Sequence, residues 1–273
     1  MAASKADTAN HEEDGVSDIM LPIIEKSGIV LELELRKMVR DQSDIVIRTI
    51  TPILWLTIFG SVFSQIRQIP LAGVSYLAYM TPGVLAQSVL FMSIFTGVSL
   101  VWEKDFGQLD RLLSAPMPRT SIVLGKAMAA GVKSLFQAGI ILAIAFLLGV
   151  SIIFNPAYMV TVIALVVIFG ICFSSLSILV TVLLKTRERV MGIVQLISMP
   201  LFFASNALYP VELMPVWLQT ISFVNPMTYF VAALRALMIT GDLSALPMDV
   251  LGIGFATAFF VALASLAFRR LET

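Results

Sequence analysis

The residue pair Gly125-Lys126 is the first in this sequence whose types invite chemistry, because a phosphate-binding loop closes on Gly-Lys. Such a loop also needs Gly five positions before its second Gly, and Ser or Thr after the Lys. Thr120 and Ala127 stand there instead, so the pair predicts no nucleotide site. Ser174-Ser175 lies in an apolar stretch that holds no histidine to act as a base, since His11 is the only histidine in the chain. No Cys/His/Asp/Glu cluster has metal-ligand spacing. The single Cys172 excludes a disulfide framework and reads as a small packing residue. No catalytic residue, metal or cofactor is therefore expected in this chain. What remains is a polar segment, EKDFGQLDRLLSAPMPRTSIVLGK over 103–126, enclosed by apolar stretches.

The elements around that segment follow from composition. With 58% hydrophobic and 13% charged residues, a soluble domain could not hide its apolar surface. Uncharged runs cover 49–66, 68–102, 134–184, 190–211, 213–234 and 250–268. About 20 apolar residues cross a bilayer as a helix, so four runs fit one crossing each and 134–184 fits two, divided at Asn155-Pro156. The run 213–234 is cut by Pro215 and by Asn225-Pro226 into pieces too short to span. The expected fold is all-α, with six transmembrane helices over 48–273 and a re-entrant hairpin over 211–240.

Charge placement gives orientation, because basic residues flanking crossings favour the cytoplasm. If 213–234 enters and returns on the outer side, all 18 basic residues except Arg67 and Arg235 are cytoplasmic, and Arg269-Arg270 end inside. A full crossing there would send those arginines outside, against the rule. Both termini are thus expected in the cytoplasm. Residues 1–27 are expected to form a disordered tail with no secretory signal. Residues 28–47 put Leu31, Leu35, Met38 and Val39 on one helical face, with Glu32, Arg36, Lys37 and Arg40 on the other. That is the pattern of a helix in the headgroup plane or of a helix packed on a partner protein.

Within 103–126, Phe106, Leu109 and Leu113 recur at i, i+3 and i+7 and predict a short amphipathic helix, ended by Pro116 and Pro118. Such a helix fits a groove in a soluble motor protein, or it is a solvated loop with one face on the membrane. Ion-coupled transport would need ionisable groups at mid-membrane, and the predicted crossings carry none. Energy is then expected from a docked partner. A net charge of zero gives no sign of nucleic acid.

The stretch VWEKDFGQLDRLLSAPMPRTSIVLGK, followed later by NALYPVELMPVWLQTISFVNPMTYFVAALRALM, resembles the permease subunits of type-2 ATP-binding-cassette exporters. The chain is most similar to the daunorubicin-resistance-type drug and lipid permeases, and the likeness covers most of 29–268. Its markers are Glu103, Gly107, Leu109 and Leu112; then Pro118, Gly125 and Lys126; then Asn225 to Tyr229 with Leu234 and Arg235. The resemblance implies a homodimer working with two separate ATPase subunits that hold ATP and Mg, in a prokaryotic inner membrane among its lipids. It also implies an N-terminal interface helix and an ATPase-coupling helix formed by Glu103, Phe106, Gly107, Leu109, Asp110 and Arg111. The first, second and fifth crossings would line the path of a hydrophobic or amphipathic substrate, with Trp55, Phe59, Phe91, Phe95, Phe202, Phe203 and Asn206 as wall residues. Pro215, Asn225, Pro226 and Arg235 would form an outer gate. A polysaccharide or glycolipid exporter is the alternative within the superfamily, and an ion-coupled carrier the alternative outside it.

Overall fold

A computed structural model describes residues 23–40, 43–63, 74–184 and 186–269. The expectations placed on residues 1–22, on Arg67, on Lys185 and on Arg270 lie outside the described residues. Among the described residues there are helices and turns and no strand.

Helix α1 covers 23–40. Helix α2, Ser43–Leu54, runs on through a π-helical turn, Trp55–Phe59, into Gly60–Phe63. Helices α3 (Tyr76–Asp105), α4 (Gln108–Leu113), α5 (Arg119–Leu147), α6 (Pro156–Leu183) and α7 (Arg187–Phe203) follow. Helices α8 (Val216–Val224) and α9 (Pro226–Arg235, continued by the π turn Ala236–Thr240) precede α10, Leu246–Arg269. The 28–47 boundary of the predicted interface helix thus falls across two helices, since α2 is already helical from Ser43.

Four helices, α3, α5, α6 and α10, are long and apolar enough to cross a membrane. Helices α8 and α9 pass the same test only as a pair, and they are bent by 82° at Asn225. Length and composition therefore give four or five candidate spans rather than the expected six, because α7 is 17 residues long and the apolar part of α2 is short. The local chemistry of the breaks is legible. Asn155 caps α6, accepting from the Ala157 N–H at 3.0 Å with Pro156 in the first turn. Asn225 repeats the device, accepting from Met227 N–H at 3.0 Å, with Pro226 forcing its own backbone to be extended.

Helix α3 sits at the centre, in contact with α5, α6, α7 and α9, and is the most enclosed of the long helices. Lipid tails are as apolar as leucine, so helix contacts in a bilayer depend on close packing and polar links rather than on hydrophobic burial. The interior follows that rule. A methyl group on Gly170 of α6 would meet Gly131 Cα of α5 at 2.8 Å, so two glycines let these helices touch along their backbones. Ser93 of α3 shares a hydrogen bond of 3.1 Å with Ser134 of α5, and Ser177 of α6 donates to the Ile94 carbonyl at 2.8 Å. Phe169 of α6 stacks on Phe230 of α9 with centroids 3.9 Å apart. Cys172 is fully buried in the same core.

Candidate functional site: an ion cluster behind a short projecting helix

The polar segment begins as the last turn of α3. Gly107, at φ 66°, stops that helix in a backbone conformation that side-chain-bearing residues rarely adopt. Helix α4 restarts at Gln108 in a new direction. Leu109 anchors it, 4% exposed, among Leu100, Ile122, Val123, Ile178 and Phe268 of the neighbouring long helices. Leu112 and Leu113 pack beside it. Asp110 and Arg111 face outward. Phe106 does not join the predicted apolar face with Leu109 and Leu113. It lies on the far side of the Gly107 break and is 73% exposed, because that break interrupts the helical periodicity.

Glu103 turns the other way, into the protein. Its carboxylate accepts from Lys126 Nζ at 2.6 Å through one oxygen and from Lys37 Nζ at 2.7 Å through the other. Lys126 also binds Glu34 of α1 at 2.9 Å, and Glu34 takes Lys133 at 3.0 Å and Lys37 at 3.0 Å. Five charged groups from α1, α3 and α5 thus form one cluster. Lys126, 1% exposed, stands at its centre. Burial would raise the Glu34 carboxyl pKa, but Lys126, Lys133 and Lys37 outweigh it and hold that group well below the usual carboxylate range. For Lys37, burial favours the neutral amine, but the hydrogen bond to Glu103 and the charges of Glu34 and Glu103 raise its pKa overall.

This cluster explains Gly125-Lys126. A side chain at Gly125 would strike Val30 and approach the Ser27 carbonyl at 2.7 Å, so glycine is what lets α1 lie on α5. Lys126 then fastens the two helices, and Ser121 Oγ adds a bond of 3.2 Å to the Ile23 carbonyl. Lys126 ends the polar segment 103–126 in the sequence, but α5 is already helical from Arg119, which carries Lys126 and Lys133 into a packed face. The sequence reading assigns no role to Glu34. The available signal was positional: Ser27, Val30 and Glu34 share the buried stripe of α1, and lysines seven apart share one face of α5.

The predicted wall residues separate into groups. Trp55 stacks on Phe59 at 4.3 Å and meets Phe202 edge-on at 5.8 Å, with Phe203 beside it, forming an aromatic seam between α2 and α7. Phe95 lies elsewhere, under the Arg48 guanidinium at 4.2 Å, with half-buried Phe91 one turn away on α3. Asn206 belongs to the opposite end of the bundle, where its carbonyl accepts from Arg235 Nη2 at 2.7 Å.

Arg235 differs from expectation. It is drawn into the protein, stacked 3.8 Å over the Tyr79 ring, and it also donates to the Tyr79 carbonyl at 3.3 Å. Carbonyl oxygens and an aromatic face hold the guanidinium, with the Glu212 carboxylate acting on it electrostatically, because α9 is packed against α3 and α6. Pro215 and Asn225 stand where predicted, at the starts of α8 and α9. The Asn225 amide adds a bond of 2.7 Å to the Leu201 carbonyl, tying the bend to α7.

Long apolar helices joined through small residues, with a short amphipathic helix projecting at one end, define a multi-pass helical membrane protein. The chain belongs to the ABC-2 type transporter family, whose sequence profile matches residues 27–239. It is therefore of the ABC transporter permease class, and the matching domain is a membrane permease rather than an ATPase. It is 32% identical to ycf38 of Cyanophora paradoxa, designated a transport permease, over 190 residues that cover 68% of this chain and 64% of that one. It is 31% identical to YbhR of Escherichia coli K12, designated a multidrug ABC transporter permease, over 57% of this chain and 42% of that one. With the daunorubicin resistance permease DrrB1 of Streptomyces coeruleorubidus it shares 28% identity, over 71% of this chain and 67% of that one. The match spans less than two thirds of the length of the ycf38 relatives.

Proposed function

We propose that the chain is the membrane subunit of an ABC exporter that moves amphipathic, lipid-like or drug-like molecules outward. Two copies work with two ATPase subunits, which bind ATP and Mg. The subunit lies in a prokaryotic inner membrane with its termini cytoplasmic. It makes six crossings: α2 and α7 complete the count as first and fifth, and α8 and α9 re-enter on the outer side. The names of YbhR and DrrB1 support the substrate class.

The observation that carries the reading is the mounting of α4. Leu109 fixes the helix to the ends of the long helices, Asp110 and Arg111 face outward, and Glu103 one turn earlier is locked to α1 and α5 through Lys37 and Lys126. A push on α4 is transmitted through buried ion pairs and packed leucine rather than absorbed by a loose loop. Glu103 is on this geometry a positioning residue, while Phe106, Asp110 and Arg111 form the contact surface for the ATPase. The test is to reverse both charges, Asp110→Lys with Arg111→Glu, and to assay transport in proteoliposomes with the ATPase that copurifies with the full chain. ATP-driven transport should fall about ten-fold while the amount of folded permease is unchanged, since interfacial charges govern docking more than folding. Full coupled transport in the reversed chain would remove α4 from the ATPase contact.

A further inference from the structure

A cavity of about 340 Å³ opens beside the ion cluster, between α1, α2, α3 and α5. Its walls are of two kinds. Lys37, Lys133, Glu34 and Glu103 supply charged groups to the lining, and Met38, Met92, Phe95 and Trp102 supply apolar ones. Among the described residues, three lysines share the two carboxylates, a formal excess of one positive charge in the cluster. Lys133 gives one of its three N–H groups to Glu34, and Lys37, with a half-exposed side chain, stands where the recess meets the surface. Excess positive charge in a partly dry site is relieved by a bound anion. Apolar walls next to it accept hydrocarbon.

We infer that this recess binds the phosphate headgroup of an anionic membrane lipid, with the start of its hydrocarbon lying against Trp102 and Phe95. The inference rests on the proposed membrane arrangement, with α1 taken as the helix in the headgroup plane. The site lies within one subunit, behind the interface helix, and is separate from the aromatic seam of Trp55, Phe59 and Phe202. A lipid held there bridges α1 to α3 and adds a counter-charge to the three lysines.

Trp102 gives a direct readout. In the full chain carrying Trp55→Phe and Trp217→Phe it is the only one of the 3 tryptophans left. The protein is reconstituted into phosphatidylcholine vesicles doped with dibrominated phosphatidylglycerol or, separately, dibrominated phosphatidylcholine, and fluorescence quenching is titrated. Half-saturation is expected at about five-fold lower mole fraction of the anionic lipid, the scale of one lysine–headgroup attraction at a membrane surface. Ser99→Asp, which puts a carboxylate into the recess without touching an ion pair of the cluster, should erase the preference. Equal half-saturation by the two lipids, or a preference that survives Ser99→Asp, overturns the assignment while leaving the membrane placement intact. Loss of the preference in millimolar inorganic phosphate overturns it in favour of a soluble anion. No quenching by either lipid would instead refute the placement of this end of α3 at the membrane.

Discussion

Lys126 sits at the centre of a cluster that joins three helices, and its burial makes the consequences of losing it large. Its ammonium, 1% exposed, pairs with both Glu34 and Glu103, and replacing it by Met removes one buried ion pair from each carboxylate, leaving Glu34 with Lys37 and Lys133 and Glu103 with Lys37. Breaking a buried pair from one side costs about 3–5 kcal/mol. Lys126→Met should therefore lower the thermal unfolding midpoint of the purified protein markedly. The same cluster predicts the pH dependence. Glu34 has a depressed folded pKa, so its contribution is complete above the ordinary carboxylate value of 4.5 and is lost as pH falls through the folded value below it. Lys37 has a raised pKa, so its contribution is complete below 10.5 and is lost as pH rises through the folded value above it. Thermal stability measured across pH should show a plateau between those limits, with the acid loss displaced below the usual carboxylate range, and Glu34→Gln should remove that displacement.

Two contacts between elements set the architecture of the bundle. Helices α5 and α6 meet through Gly131 and Gly170, where a methyl group has no room. Gly170→Ala must push them apart or shift α5, a strain of about 1–3 kcal/mol. It should be visible as a lower unfolding midpoint with the helical signal in circular dichroism preserved. The bend between α8 and α9 rests on Pro226, on the Asn225 cap and on the Asn225 amide bond to Leu201. Asn225→Ala with Pro226→Ala removes all three restraints. The 82° bend should then open, and transport should fall through poor sealing or a misplaced α10. The discriminating measurement is the labelling side of a cysteine introduced at position 212 or 244, read together with transport. Unchanged labelling with full transport would show that the bend is dispensable.

For the whole molecule, the proposed six-crossing arrangement would make one end of the bundle cytoplasmic and the other external. Cysteines at 111 and 187, at the α4 end, should react with an impermeant thiol reagent only after the membrane is opened, whereas a cysteine at 212 should react in intact cells. Native Cys172 is buried in α6 and gives a quiet background. Labelling of position 187 from outside would invert the orientation and with it the direction of the proposed transport. The α4 end is also where Arg187 bridges Asp105 at 3.3 Å, linking the start of α7 to the end of α3.

The sequence alone determined the membrane class, the uncharged runs, the break at Asn225-Pro226 and the short helix after α3, because each depends on local composition or on backbone restrictions that Pro, Gly and Asn impose wherever they occur. The lack of a phosphate loop was equally local, since that motif requires fixed residues at fixed spacing. What the sequence could not assign was which charges are inside. Glu34 and Glu32 are of one type and two residues apart, but only Glu34 falls on the stripe that α1 turns toward α5. Glu103 and Lys126 stand at the two ends of one polar segment in the sequence, and only the start of α5 at Arg119 carries Lys126 into a packed interface where it meets Glu103. Arg235 likewise found carbonyls and a tyrosine ring contributed by residues more than 25 positions away. Hydropathy is a property of neighbours in the chain. The burial of a charge is decided by partners that only the folded arrangement of helices brings within reach, and that is why the tertiary structure fixed the ion cluster, its cavity and the Arg235 contacts.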